Sequence, residues 1–122
     1  MKNRATLIGH VGAAPEFRMT KDNREIASFR LATSDRWTDK QSGEKRERTE
    51  WHRIAIFNQG VVDVVKKYVR KGSKLEVEGT IRTSEYEDGE GTKRYSTEIC
   101  VENYSGSVLL LDGAPKGEAV NG

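Results

Sequence analysis

The sequence is poor in the residues that build covalent links or metal sites. Among its 122 residues are one cysteine, Cys100, and two histidines, His10 and His52. A single cysteine excludes an internal disulfide and a cysteine-based metal site, and a lone cysteine within a strand pattern is usually a small buried apolar residue. Because neither histidine stands at a metal-ligand spacing, we expect no metal and no cofactor.

The chain also lacks long apolar runs and catalytic motifs. Its first ten residues read Met-Lys-Asn-Arg-Ala-Thr-Leu-Ile-Gly-His, so we expect neither a signal peptide nor a membrane span, and we expect a cytoplasmic protein. No glycine-rich phosphate loop of the P-loop kind and no serine nucleophile elbow occurs. Carboxylates are plentiful, but in a chain with 33% charged residues a pair can always be found. The sequence therefore argues against an enzyme.

Charge is abundant but nearly balanced. Lysine and arginine number 21 and aspartate and glutamate 19, which gives a formal net charge of +2. This balance permits an anionic partner without requiring one. The length suits one domain, which we place at residues 1–111, and such a chain buries roughly two-thirds of its unfolded surface. Residues 112–122, Asp-Gly-Ala-Pro-Lys-Gly-Glu-Ala-Val-Asn-Gly, lack the pattern of a packed element and are predicted to be disordered.

The chain is organised around residues 49–57. Their order, Thr-Glu-Trp-His-Arg-Ile-Ala-Ile-Phe, predicts a strand whose side chains alternate between two faces. One face carries Trp51, Arg53, Ala55 and Phe57, and the other carries His52, Ile54 and Ile56. The isoleucine face is an ordinary core face, whereas two aromatic rings with an interleaved guanidinium suit the stacking of unpaired nucleic-acid bases and the binding of phosphates. From this strand alone, the alternative that both rings face a second core layer stays equally open.

Apolar spacing and turn residues predict the remaining elements. In chain order they are a strand at 5–11, a polar connection at 17–24, a strand at 26–34, the strand at 49–57, a helix at 58–71 ended by Gly72, and strands at 74–83, 94–102 and 106–111. Gly9 and Gly12 predict a bend or a close backbone approach near the first strand. Two charged loops remain, at 35–48 and 84–93, and the first is predicted to be a long hairpin with Trp37 at its base. A functional role is favoured for Trp37, because an exposed indole is an unfavourable surface choice.

Three strands, a helix and two further strands is the order of the OB-fold, a five-stranded Greek-key barrel with one helix between strands three and four. Six blocks of residues strengthen this prediction. They are Gly-His-Val-Gly-Ala-Ala-Pro-Glu at 9–16, Leu-Ala-Thr-Ser-Asp-Arg-Trp at 31–37, Thr-Glu-Trp-His-Arg at 49–53, Tyr-Val-Arg-Lys-Gly-Ser at 68–73, Glu-Gly-Thr-Ile-Arg-Thr at 78–83 and Arg-Tyr-Ser-Thr-Glu at 94–98. In this order, over residues 4 to 111, the chain resembles the bacterial and mitochondrial type of single-stranded DNA-binding protein.

The resemblance implies a protein that binds single-stranded DNA without strong sequence preference and protects it during replication, recombination and repair. It implies that bases stack on Trp37, Trp51 and Phe57, and on Tyr86, where the family usually has tryptophan. The phosphate contacts that it implies fall on Arg18, Lys40, Arg46, Arg53, Lys71, Arg82 and Arg94.

The family usually assembles as a homotetramer, with first strands pairing edge to edge into dimers. The resemblance places His52 at the subunit interface and Lys74 and Glu76 where the dimers meet, where the latter two either form ion pairs between subunits or weaken the tetramer. Many bacterial members end in a long segment whose acidic, hydrophobic tip recruits replication and repair proteins. This chain stops at Gly122 without one, as a truncated piece or a tail-less phage or plasmid version would, so partner recruitment is in doubt.

The second charged loop departs from the family pattern. Ser84 and Glu85 stand where the family commonly has basic residues, and Glu87, Asp88 and Glu90 add further negative charge. We therefore expect this loop to bind DNA less tightly.

One alternative function is that of an interaction module, a dimeric OB-fold protein of a primosome or recombination complex in which DNA binding is incidental. A dimeric mass in solution would favour that module.

Overall fold

The protein consists of strands arranged around one helix, and a computed structural model describes residues 1–103, 106–112 and, for the backbone alone, 119–121. The strands are β1 (Ala5–Val11), β2 (Glu16–Met19), β3 (Glu25–Thr38), β4 (Lys45–Ile56), β5 (Lys74–Glu87), β6 (Lys93–Val101), β7 (Ser107–Leu110) and β8 (Ala119–Asn121), and the helix is α1 (Gln59–Tyr68). Within the described ranges no helix is both long and apolar enough to cross a membrane.

Five of these strands close into a barrel. In the order β1, β3, β4, β6, β5 each strand pairs with the next, and β5 returns to β1. The β4–β6 pair is parallel, with residues 53–56 beside residues 98–101. β2 adds to β3 outside the barrel, while β7 adds to β5 and β8 to β7. The predicted five-stranded barrel with one helix between its third and fourth strands is confirmed.

The core lies inside the barrel and beneath α1. The exposed fraction is 0% at Leu31, 1% at Ile54 and 0% at Val77, as the alternation of apolar residues predicts. Full burial of one such side chain contributes about 1.5–3 kcal/mol. Gly9 brings β1 close to β3, since a Cβ there would lie 2.1 Å from the carbonyl oxygen of Ala32, which confirms the predicted close approach.

The start of α1 is fixed by side-chain caps. Asn58 is the N-cap, and its side chain accepts hydrogen bonds from the backbone N–H groups of Gly60 at 3.0 Å and Val61 at 3.3 Å. Gln59 ties this end of the helix to β3, because its side chain accepts from the N–H of Glu25 and donates to the Glu25 carbonyl oxygen. The helix that shapes one side of the barrel is therefore anchored to the strand beside it.

The predicted end of the helix at Lys71 and Gly72 is wrong. The helix stops at Tyr68, and Val69 already has extended backbone with its side chain only 2% exposed. Because Val69 reaches the core in this conformation, another helical turn would carry it away from its apolar contacts. Gly72, with φ at +89°, forms the turn into β5 instead, and its N–H donates to the carbonyl oxygen of Val11.

Two hairpins project from the barrel. We name residues 33–50 of β3 and β4 the first arm, and residues 83–97 of β5 and β6 the second arm. Pairing extends to Thr38 and Lys45 in the first arm and to Glu87 and Lys93 in the second. The loops predicted at 35–48 and 84–93 are thus mostly strand, although the predicted hairpin over 35–48 is confirmed. Trp37 lies one pair from the turn, so its predicted place at the base of the hairpin is wrong.

Two further segments differ from the prediction or lie outside it. The polar connection predicted at 17–24 contains β2, whose residues pair with β3 from Glu16–Ser28 to Met19–Glu25. Polar strands of this kind are held by register with a neighbour, which composition does not show. Of the tail predicted to be disordered, 113–118 and 122 lie outside the described residues, and 119–121 pair with β7.

Candidate nucleic-acid interface

An open groove crosses the outward face of the barrel. Strands β3 and β4 form its floor, residues 12–18 form one wall, and the second arm forms the other. The groove encloses about 1010 Å³. Five of the predicted site residues line it, namely Arg18, Trp51, Arg53, Phe57 and Tyr86. The structure therefore brings together residues that are up to 68 positions apart in the chain.

Trp51 stands outward in this groove with 56% of its surface exposed. Its ring lies over Gly12, where an added Cβ would come within 2.3 Å of the ring atom Cζ3. Gly12 thus leaves room for the side chain of Trp51, whereas the sequence predicts a bend or a close backbone approach there. The alternative of a second core layer is wrong for Trp51. Further along the strand Ala55 is buried and Phe57 is partly buried, and both line the groove.

A pair of arginines lies beside Trp51 on the same face. Arg53 of β4 is directly opposite Arg30 of β3, and both side chains are exposed. Neither guanidinium forms an ion pair with a carboxylate of the described residues, and Arg53 donates only to the hydroxyl of Ser96, at 3.3 Å. Like charges directly opposite each other destabilise a sheet. Two unpaired cations next to an exposed ring are suited to an anionic, aromatic ligand.

The arms carry exposed rings on both of their faces. Side chains at paired positions share a face, and successive residues alternate. By this rule Tyr86, paired with Arg94, shares the groove face with Trp51, and it is 51% exposed. Trp37 in the first arm, 47% exposed, and Tyr95 in the second, 69% exposed, lie on the opposite face. The predicted stacking residues therefore do not form one continuous surface.

Several of the predicted phosphate contacts are held by carboxylates. Arg46 lies 3.4 Å from Asp39 and 3.6 Å from Glu44 at the tip of the first arm. Arg82 lies 2.6 Å from Glu102, between β5 and the end of β6. Such exposed pairs contribute little to stability, about 0–1 kcal/mol. A phosphate can therefore replace the carboxylate at modest cost.

The acidic turn at the tip of the second arm is held by hydrogen bonds to the side chain of Asp88. Asp88 accepts from the backbone N–H groups of Glu90 and Thr92 and from Nε of Arg94, at 2.9, 3.0 and 3.1 Å. The hydrogen bond from Arg94, followed by those from the two backbone groups, holds the pKa of Asp88 below its ordinary value of 3.8. The carboxylate is thus ionised at neutral pH, and it neutralises a residue that the resemblance assigns to DNA.

The remaining predicted residues lie away from the groove. Lys40 is exposed in the turn of the first arm, and Lys71 is exposed in the turn after α1. His52 is partly buried on the face of β4 opposite Trp51, with Nε2 2.8 Å from the hydroxyl of Thr33. Lys74 and Glu76 lie on β5 opposite His10 and Ile8 of β1. Their predicted interface role stays a prediction, as does each DNA contact.

Sequence reasoning missed two residues, Arg30 and Tyr95. The alternation of the second predicted strand already places Arg30 away from the core face. What the sequence does not show is that Arg30 faces Arg53, because this requires the register of β3 against β4. Tyr95 is part of the block Arg-Tyr-Ser-Thr-Glu at 94–98 that carries the resemblance, but the resemblance assigns it no role.

Comparison with known proteins identifies the family. A model of the Single-strand binding protein family matches residues 2–107. The chain belongs to this family. A single-stranded DNA-binding protein of Rhizobium meliloti (strain 1021) is 49% identical over 111 residues, which cover 91% of this chain and 64% of the relative. One from Rickettsia felis is 44% identical over 110 residues, which cover 90% of this chain and 72% of the relative.

The solved structure of a Plasmodium falciparum SSB complex with ssDNA is similar throughout the domain. It has a TM-score of 0.83 and 33% sequence identity, and the match covers 92% of this chain and 96% of that chain. The predicted OB-fold is thereby confirmed. The chain spans somewhat less than two-thirds of the length of the Rhizobium relative. Single-strand binding proteins form a family of non-enzymatic binding proteins, which confirms the prediction that this domain is not an enzyme.

Proposed function

We propose that this single-strand binding domain binds single-stranded DNA without strong sequence preference. The observation that carries the proposal is the outward Trp51 ring beside the unpaired Arg30 and Arg53. Family membership and the likeness to a complex with ssDNA support the same ligand. Bases stack on the rings of the groove, at about 1–3 kcal/mol per base, and the guanidinium groups hold the phosphates.

The proposed mechanism discriminates by base exposure rather than by base identity. Every base has a π face, so stacking on Trp51 and Tyr86 tolerates any sequence. In a duplex the bases are already stacked on one another, and the rings of the groove cannot reach them. Each phosphate contact releases counterions, so log K falls by about 0.7 per contact for each unit of log salt concentration.

A fluorescence titration tests the proposal. We expect oligo-dT to quench the intrinsic tryptophan emission strongly and a duplex of equal length to leave it unchanged. Trp51→Ala should weaken binding while the melting temperature stays close to that of the unsubstituted protein, because the ring is 56% exposed. No quenching by oligo-dT would show that the groove does not bind unpaired bases, and equal quenching by duplex would exclude discrimination by base exposure.

We further propose that the chain assembles as a homotetramer in which β1 strands pair edge to edge to form the dimers, and the dimers meet at Lys74 and Glu76. Residues 5–9 of β1 pair with β5, while pairing with β3 is limited to residues 10 and 11. One edge of β1 is therefore open among the described residues, and Ile8 beside it is 52% exposed. An open edge and an exposed apolar side chain suit pairing with a second copy.

The proposed DNA binding also implies a biological role. We propose that the protein protects single-stranded DNA during replication, recombination and repair, in the cytoplasm.

A further inference from the structure

A notch separates the two arms, and the proposed stacking in the groove does not use all of it. β4 and β6 pair only over residues 53–56 and 98–101, and each strand then continues into its own arm with a different partner. Residues 45–52 of β4 and 93–97 of β6 therefore have one open edge each within the described part of the chain. The notch encloses about 560 Å³, inside the roughly 300–1,000 Å³ range of small-molecule sites.

The lining of the notch combines rings, cations and hydroxyl groups. Its polar and aromatic side chains include Arg30, Trp51, Arg53, Tyr95, Ser96 and Thr97. No carboxylate is found among the described residues that line it. The open strand edges add backbone N–H and C=O groups that have no strand to pair with. A flat ring, positive charge and mixed donors and acceptors together fit a nucleotide.

Exposed rings lie on both faces of the arms, so DNA that contacts all of them has to pass from one face to the other. Trp51 and Tyr86 lie on the groove face, whereas Trp37 and Tyr95 lie on the reverse face. A DNA strand that reaches both faces passes either around the tip of an arm or past an open edge of β4. The edge toward β3 is paired along the whole first arm, from Thr33–Glu50 to Thr38–Lys45, so the open crossing is the notch.

We propose that the notch is a nucleotide subsite through which single-stranded DNA passes from the groove to the reverse face of the first arm. One base stacks on Tyr95, and the phosphate beside it contacts Arg30 and Arg53. The inference rests on the proposed binding of single-stranded DNA. It adds Tyr95 to the four stacking residues that the resemblance implies, and it adds a path for the DNA between the two arms. Tyr95 is the most exposed of the four rings that are more than 40% exposed among the described aromatic residues, which leaves its face free for a base.

Two variants of Tyr95 test this subsite. Tyr95→Ser should weaken the binding of a long oligo-dT about five-fold or more, which corresponds to about 1 kcal/mol, whereas Tyr95→Phe should bind as the unsubstituted protein does because the ring is kept. Oligonucleotides that contain 5-iodouracil should crosslink to Tyr95 on irradiation, as shown by mass spectrometry of the peptides.

The outcomes separate this inference from the proposed function. If oligo-dT quenches the unsubstituted protein and Trp51→Ala weakens binding, but Tyr95→Ser binds normally and no crosslink forms, the subsite is excluded while DNA binding stands. If Tyr95→Ser weakens binding and also lowers the solution mass, the ring acts between subunits and the subsite is again excluded. If oligo-dT does not quench the unsubstituted protein, the proposed function fails, and the subsite fails with it.

Discussion

At the scale of single residues, the orientation of the Trp51 ring depends on the residue beneath it. The ring rests on Gly12, and the space between them is too small for a methyl group. Gly12 does not have the left-handed backbone that only glycine adopts easily, so its importance lies in the absent side chain. A residue without a side chain is thus part of the proposed stacking surface.

Gly12→Ala is expected to reduce DNA affinity with little loss of stability. The new Cβ would lie 2.3 Å from Cζ3 of Trp51, and the exposed ring can swing away at small cost to folding but loses its place in the groove. We expect a loss of up to about 1–3 kcal/mol of binding free energy, measured by fluorescence titration, and a nearly unchanged melting temperature. Gly89→Ala is the matched control, since nothing lies within 4 Å of a Cβ at Gly89. Equal affinity for the two variants would contradict this role.

Arg30→Gln is expected to flatten the salt dependence of binding. If Arg30 holds one phosphate, the slope of log K against log salt should fall in magnitude by about 0.7. Removal of one member of the like-charge pair with Arg53 should leave the free energy of unfolding unchanged or raise it by about 0.2–1 kcal/mol. Lys67→Gln, on the exposed side of α1, removes the same charge elsewhere and should leave the slope intact. The same slope in both variants would exclude the phosphate contact.

Residues whose role follows from alternation alone could be predicted from the sequence. Trp51 and Arg53 lie outward and Ile54 and Ile56 inward, as a period of two requires. A role for Arg30 could not be predicted, because the role depends on Arg53 directly opposite it, and the pairing of the two strands is not visible in the sequence. Trp37 has the exposure that was expected but lies on the reverse face, since the register of the first arm decides which way it points.

At the scale of elements, the two arms are strands made mostly of polar residues. The first is held by pairs such as Ser34 with Thr49, at 3.0 Å, and Arg36 with Glu47, at 3.4 Å. The sequence predicts loops here because charged and turn-forming residues are depleted in strands. The barrel beneath supplies the register that extends the strands outward, so tertiary structure overrides local preference.

The turn of the second arm should respond to acid only well below neutral pH. Because the folded-state pKa of Asp88 lies below its unfolded value, the ionised carboxylate stabilises the turn above the unfolded pKa, and this contribution is lost as the pH falls through the folded-state pKa. Carboxyl NMR should give a midpoint below 3.8, and Arg94→Gln should move it back toward 3.8. Lys93→Gln is the control, since Lys93 pairs with Glu85 instead. A midpoint that Arg94→Gln does not move would show that the hydrogen bond is not the main cause.

At the scale of the whole molecule, the barrel order, the place of the helix between the third and fourth barrel strands, and the core were all predictable. They depend on apolar periodicity, on caps such as Asn58 and on the order of the elements, which are local signals. The notch and the open edge of β1 were not, since both arise where pairing between distant strands stops. The proposed assembly depends on the open edge of β1.

Solution mass tests the assembly. A tetramer should have a mass of about 55 kDa, four times the 13.7 kDa of one chain. Ile8→Arg should lower this mass, because copies that meet at β1 would bury like charges against each other. Met19→Arg is the matched control, being 59% exposed on β2 and away from β1. A dimer in the unsubstituted protein would favour an interaction module, and an unchanged mass for Ile8→Arg would remove β1 from the interface.

The burial of Cys100 makes the protein convenient to label. Its side chain is only 3% exposed, and burial, with Glu98 as the next cause, raises the pKa of the thiol. Maleimide dyes react with accessible thiolates, so we expect them not to react with Cys100. A new cysteine in the open turn, Gly89→Cys, would then take up a single fluorophore without removal of the native one, and would provide an optical sensor for loose DNA strands.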